Sequence, residues 1–328
     1  MIGHGLAQYG RSHIRLLLIV LSVVEAARAD EPARSPPDAA VARSPSVERL
    51  GEEASRAVAQ IYEYDPTIPL DARIVEKVKK DDLFREKVVF RGVQGFLVPG
   101  YLQVPPSGAA PYPCVLLLHG WSGSKEHWWQ DGNYISGGNL RKALLAAGFA
   151  VLALDAQCHG DRISQNDFAP VNHYVDENAA RNPRKGYFAL HDIYIQSTRD
   201  YRRAIDYLET RPEIDKARIG VVGYSMGGTQ TFLLTGVEPR IKAAVAVAAP
   251  AEKSKWSAVA PQNFVRGIGP RPFLTIIGRA DELCPVEHAR ALQSLFDGKT
   301  KDQVFFDAGH RLPVDYVPHA VGWMKKHL

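Results

Sequence analysis

The sequence predicts an α/β protein built on a mostly parallel, doubly wound sheet with helices on both faces. Three observations lead there. Wholly or largely apolar runs recur at Cys114–Leu118, Phe149–Leu154, Ile219–Val222, Ile241–Val247 and Phe273–Ile277. Strands of that kind are covered on both faces, as parallel strands are. Helical patterns lie between these runs, so successive strands are joined by crossovers. The third observation is Arg218–Gly228, where a β-branched run meets Gly223-Tyr224-Ser225-Met226-Gly227 and a helical pattern follows over Gly228–Val237. This is a G-x-S-x-G between a strand and a helix.

From the N-terminus, Arg11 and Arg15 precede the nine-residue run Leu16–Val24, and Ala27-Arg28-Ala29 follows. That pattern matches a secretory signal peptide over 1–29. The run is shorter than the ~20 apolar residues that span a bilayer, so no stable membrane insertion is expected after cleavage. Residues 30–48 are rich in Pro, Ala, Arg and Ser and are expected to be a disordered spacer. Residues 49–83 are expected to be a helical extension, with Leu50, Ala54, Val58 and Ile61 on one face of a helix over Val47–Tyr64.

The main domain is expected over 84–328. Lys87–Arg91 and Phe96–Val104, joined by Gly92–Gly95, predict an N-terminal β-hairpin. Asn139–Ala147 predicts a helix capped by Gly148, and Ile193–Thr210 a second with Tyr194, Thr198, Tyr201, Ile205 and Leu208 at helical spacing. Pro285–Phe296 and Val317–His327 complete the helices, and Gln303–Phe306 the strands. The stretch from Ala156 to Leu190 is long and irregular, and such an insertion inside a domain is a candidate cap over a site.

Composition narrows the class of function. The chain has 328 residues, 45% of them hydrophobic and 23% charged, ordinary for a globular protein with a sizeable core. Its formal charge is +4, and loss of residues 1–29 removes three arginines and one glutamate to leave +2. With no basic stripe, that is no electrostatic case for nucleic acid. Of three cysteines, Cys114 opens a buried run, while Cys158 and Cys284 follow strands about four strand spacings apart, ~19 Å. A disulfide needs Cα atoms within about 7 Å, so none is expected, and no cysteine pair has zinc-ligand spacing.

In a parallel sheet the site lies at the carboxyl ends of the strands. Five strand ends here carry chemistry: His119-Gly120-Trp121, Asp155, Ser225, Asp281 and Ala308-Gly309-His310. A serine hydroxyl needs a base within hydrogen-bond reach, and the base needs a third group to fix its tautomer. Among eleven histidines, His310 is the candidate base, in a short loop after the last strand and preceded by Gly309. Asp281 is the candidate orienting acid, with adjacent Glu282 the alternative. Two backbone N–H groups are needed for the oxyanion, and Met226 and Trp121 are the candidates.

Leu118-His119-Gly120-Trp121, Gly223-Tyr224-Ser225-Met226-Gly227, Gly278…Asp281…Pro285 and Gly309-His310 together resemble an α/β-hydrolase, over roughly residues 84–328. Leu154–Arg162 and the helix ending before Pro212 look similar to the dienelactone-hydrolase-like and acetyl-xylan-esterase-like branch, a neighbour of the prolyl-oligopeptidase catalytic domain. The resemblance implies a triad of Ser225, Asp281 and His310 with no metal and no cofactor. Dienelactone hydrolases proper use a cysteine nucleophile. Ser225 in its place points instead to ester or amide hydrolysis. Only some 54 residues separate Asp30 from Phe84, too few for an oligopeptidase propeller.

The expected function is therefore hydrolysis of small acyl esters, of the acetyl type and carried on a small molecule or carbohydrate, by a secreted or periplasmic serine esterase. An exported peptidase and a non-catalytic binding protein are the alternatives, and the sequence leaves the oligomeric state open. His119, Trp128, Trp129, Tyr224 and His159 are the candidate pocket residues, in a region also holding Trp121 and His127. Arg162 is expected to pair with Asp161 or Asp155, or else to bind a carboxylate.

Overall fold

A computed structural model describes residues 46–80, 83–163, 188–298 and 300–328. The proposed signal peptide, most of the spacer and most of the candidate cap lie outside the described residues.

A nine-stranded sheet runs through the molecule in the order β1-β2-β3-β5-β4-β6-β7-β8-β9. The strands are β1 Arg73–Lys80, β2 Leu83–Arg91, β3 Leu97–Gln103, β4 Tyr112–Leu118, β5 Ala150–Leu154, β6 Ile214–Tyr224, β7 Ile241–Val247, β8 Phe273–Gly278 and β9 Lys301–Phe306. From β5 to β9 every neighbouring pair is parallel, and β1, β2 and β3 add antiparallel strands at one edge.

The apolar runs are buried because both faces are covered. Along β4, Cys114, Leu116 and Leu118 join the core on one side and Val115 and Leu117 the core on the other. Helices α3 (Leu190–Glu209) and α4 (Met226–Val237) pack on the first side, with Tyr201, Ile205, Leu208 and Phe232 buried there. Helices α2 (Gly137–Ala146) and α7 (Tyr316–His327) cover the second through Leu140, Leu144, Tyr316 and Met324. The remaining helices are α1 (Glu52–Gln60), the single turn α5 (Val265–Ile268) and α6 (Val286–Gln293). Gly148 follows α2 at φ +88°, the left-handed position that ends a helix. All three cysteines are buried, and none is joined in a disulfide. Among the described residues no helix is long and apolar enough to cross a membrane.

The extension expected to be helical over 49–83 departs from expectation. Its helix is only Glu52–Gln60, Ile61 is exposed, and Arg73–Lys80 is a strand. β1 pairs antiparallel with β2 from Arg73↔Val89 to Lys80↔Leu83, so the sheet begins before Phe84. This is an edge strand, with Ile74 and Val75 exposed and lysines along it. Charge on an edge discourages pairing with a further chain and hides the alternation that would mark a strand.

Candidate active site

β6 delivers Ser225 and α4 begins at the next residue. Ser225 sits at φ 55°, ψ −116°, a backbone that side-chain-bearing residues rarely adopt. Its N–H donates to Val247 O of the neighbouring strand at 2.8 Å. The flanking glycines are required by contact. A Cβ on Gly223 would fall 2.0 Å from Gly227 O, and one on Gly227 would fall 2.0 Å from Leu118 O. The strand end and the helix start are thus pressed onto each other and onto the end of β4, leaving the Ser225 side chain to project from the turn.

Two further strand ends converge on Ser225. His310, in the loop after β9, accepts from Ser225 Oγ through Nε2 at 2.8 Å. Its Nδ1 donates to Asp281 Oδ2 at 2.9 Å. The other carboxylate oxygen of Asp281, buried after β8, accepts from Leu283 N at 2.9 Å. Both oxygens are therefore held, and an acceptor-only carboxylate places the imidazole proton on Nδ1 and leaves Nε2 free to receive. Glu282, the alternative acid, is exposed. The two loops are joined by backbone, since Arg279 N donates to Phe306 O and Ala280 N to Ala308 O.

Met226 is the first residue of α4, where N–H groups lack intrahelical partners. Trp121 stands in the turn after β4, half-buried. A Cβ on Gly120 would lie 3.3 Å from Ser225 Cβ, so the glycine before Trp121 lets this turn close on the nucleophile.

The candidate pocket residues are mostly buried and engaged with the protein itself. His119 is fully buried; Nδ1 donates to Gly120 O at 2.8 Å and Nε2 accepts from Ala156 N at 3.0 Å. Burial, with His159 next in weight, holds its pKa well below the ordinary 6.5. Tyr224 is buried, its hydroxyl donating to His310 O at 2.8 Å and accepting from Leu312 N at 2.9 Å. It braces the His310 loop rather than lining a pocket. Trp128 is turned into the core by the short helical turn Lys125–Trp129, and Trp129 packs edge-on against Tyr101 of β3, centroids 5.0 Å apart. His159 is buried behind Trp121, ring centroids 5.0 Å apart, with Nδ1 donating to Gln157 O.

Arg162 pairs with Asp200 of α3 at 2.9 Å and donates to Asp155 O at 3.3 Å, so its carboxylate partner is one the sequence reading did not consider. Asp155 has its own set of donors. Oδ1 accepts from Lys125 N at 2.8 Å, and Oδ2 from Lys125 Nζ at 2.8 Å and Asp161 N at 2.9 Å. The Lys125 ammonium also meets Asp161 at 2.9 Å, and these carboxylates raise its pKa against the opposing effect of burial. This clasp ties the loop after β4 to the turn after β5. Its partners lie thirty residues apart, and no local pattern announces them.

Among the described residues, no group of three or more His, Cys, Asp or Glu is placed to hold a metal ion. The arrangement presents a serine hydroxyl bonded to a base of fixed tautomer at the start of a helix, which suits acyl transfer.

Comparison with known proteins agrees with the fold. Residues 115–313 match the model of the alpha/beta hydrolase family. A Bacillus subtilis protein named as a hydrolase, YtaP, is 24% identical over 215 residues, 58% of this chain and 67% of that protein. A Methylorubrum extorquens protein named as a carboxymethylenebutenolidase is 26% identical over 239 residues, 69% of this chain and 72% of that protein. Acetyl xylan esterase 1 from Thermoanaerobacterium sp. JW/SL YS485 superposes with a TM-score of 0.66 at 18% identity, covering 86% of this chain and 96% of that one. The mostly parallel sheet, the strand–turn–helix at Ser225 and the family match over most of the domain lead to one statement: the chain belongs to the alpha/beta hydrolase family.

Proposed function

We propose that the protein is a serine esterase acting on small acyl esters, of the acetyl type and carried on a carbohydrate or another small alcohol. The observation that carries this reading is the unbroken relay from Ser225 Oγ to His310 Nε2 at 2.8 Å and from His310 Nδ1 to Asp281 Oδ2 at 2.9 Å. In this reading His310 takes the hydroxyl proton as Ser225 attacks the ester carbonyl. The Met226 and Trp121 N–H groups bind the oxyanion. His310 returns the proton to the departing alcohol, then draws one from the water that releases the acid. Asp281 holds the tautomer and offsets the transient positive charge. The acetyl group and the carbohydrate are both supported by likeness to an acetyl xylan esterase.

The test is the purified domain on a panel of acetyl, butyryl and long-chain esters and aminoacyl amides. Preferential turnover of acetyl esters, abolished in Ser225→Ala, is expected. Turnover confined to the amides would replace the esterase reading by a peptidase one. Turnover unchanged in Ser225→Ala would end the mechanism. The N-terminal pattern at 1–29 supports export. Cell fractionation that finds the full-length protein only in the cytoplasm would remove that part of the proposal.

A further inference from the structure

Tyr134, in the loop between the turn Lys125–Trp129 and α2, is absent from every motif in the sequence, yet its hydroxyl closes on Gly120, the glycine that also abuts Ser225. A Cβ on Gly120 would lie 2.2 Å from Tyr134 Oη and 3.3 Å from Ser225 Cβ, so the phenol oxygen and the nucleophile flank one point in space. Gly120 is the residue before Trp121, so the hydroxyl abuts the turn that carries one candidate oxyanion donor.

The ring is held, and among the described residues no hydrogen bond holds the hydroxyl. Tyr134 packs edge-on against His127 with centroids 5.7 Å apart, and against Tyr224 at 5.8 Å. Its loop is tied down by Asn133, whose side chain donates to His127 O and accepts from Ile135 N and Gly137 N. Arg311, next to His310, reaches Gly132 O at 3.5 Å, which brings the loop to the histidine side of the site as well. No hydrogen bond joins Tyr134 Oη to another described residue, in a protein whose buried Tyr62 and Tyr316 hydroxyls both donate to backbone carbonyls. Tyr134 is half-buried, so a phenol fixed by its ring leaves a hydroxyl open to a partner that arrives from solution. Burial also pushes its pKa up to about 12, so it remains a proton donor across the neutral range.

We propose that the Tyr134 hydroxyl touches the substrate and donates a third hydrogen bond to the oxyanion, beside the Met226 and Trp121 N–H groups. The inference rests on the serine-esterase reading. It asks for a donor whose bond strengthens as the carbonyl oxygen gains charge, which shows in kcat more than in KM. No proton is transferred: Tyr134 keeps its own, and His310 alone handles the proton of Ser225.

The experiment compares wild type and Tyr134→Phe on two acetyl esters, an aryl ester and an alkyl ester, together with the thermal midpoint of each protein. Tyr134→Phe is expected to fold with an unchanged midpoint, to lower kcat by about 10- to 100-fold on both esters, and to leave KM within about twofold. Equal losses on both esters identify the oxyanion, because the leaving alcohol differs and the carbonyl oxygen does not. Three results would overturn the inference: kcat within twofold of wild type, a loss confined to KM, or a loss seen with the alkyl ester alone. If wild type hydrolyses neither ester and is not modified at Ser225 by a fluorophosphonate, it is the underlying reading that has failed. Normal turnover in Tyr134→Phe sinks only the role of the tyrosine.

Discussion

Asp155 and Asp281 occupy equivalent stations. Each follows a parallel strand at its carboxyl end, and each is buried with both oxygens engaged. Their partners separate them. Asp155 faces Lys125, a permanent cation without surface of its own, and the pair locks two loops together. Asp281 faces His310, whose ring is 28% exposed and touches Ser225 on its far side. A buried carboxylate opposite a lysine has no proton to manage. Opposite a histidine that also holds a hydroxyl, it governs a proton's position. Role is set by the opposing group, not by burial or by position after a strand.

The largest effect is expected on the catalytic side. In Asp281→Asn the amide oxygen can keep the Leu283 N–H bond, but the NH2 then faces His310 Nδ1. The imidazole turns to the other tautomer, and Nε2 can no longer receive the serine proton. Steady-state kinetics should show kcat reduced ~10⁴-fold, the size known for that swap in a serine protease, with a nearly unchanged denaturation midpoint. A variant that keeps a tenth of wild-type kcat would put Asp281 in the same category as Asp155.

The reverse is expected on the clasp side. Asp155→Asn leaves the Lys125 ammonium buried with Asp161 at 2.9 Å and Glu126 at 4.0 Å, both partly exposed. Breaking such a pair costs ~3–5 kcal/mol of stability, while the folded fraction should lose less than about tenfold in kcat. Urea titration measures the first and active-site-normalised kinetics the second. Adding Lys125→Met to Asp155→Asn should restore much of the stability, because it removes the stranded charge. An Asp155→Asn protein as stable as wild type but inactive would make Asp155 part of the chemistry and erase the contrast.

These differences also mark where the sequence could be read. β4 to β8 were legible because a run such as Cys114–Leu118 has no polar face to turn to solvent. Ser225, Asp281 and His310 could be named because each follows a strand within a few residues, and a parallel sheet gathers such ends. β1 was not, since its exposed side chains and lysines belong equally to a loop. The clasp joins Lys125 to Asp155 across thirty residues, and Tyr134 reaches Gly120 through a bend without periodicity. Trp128 departs from the pocket expectation for a different reason. An aromatic cluster after a strand looks the same whether its rings face a pocket or the core, and a single helical turn sends Trp128 to the core.

The smallest effect concerns protons. In the proposed mechanism His310 accepts one in every turnover, whereas His119, beside the clasp, is built never to do so. Its Nε2 accepts from Ala156 N, so protonation would break that bond inside the protein. Burial and the nearby His159 hold its folded pKa well below the ordinary 6.5. Above pH 6.5 the ring is neutral whether the chain is folded or not, and it adds no pH dependence. Below that, the unfolded chain takes up a proton that the folded chain refuses, so stability falls with pH down to the folded value. The slope from this one group is at most ~1.4 kcal/mol per pH unit. Half-buried His127, also shifted down by desolvation, adds a smaller share. Urea midpoints at pH 7 and pH 5 should therefore differ in wild type, and differ less in His119→Gln, which can donate and accept at the same site without titrating. An equal acid loss in both proteins would show that His119 is charged in the fold, and that the clasp side carries a proton after all.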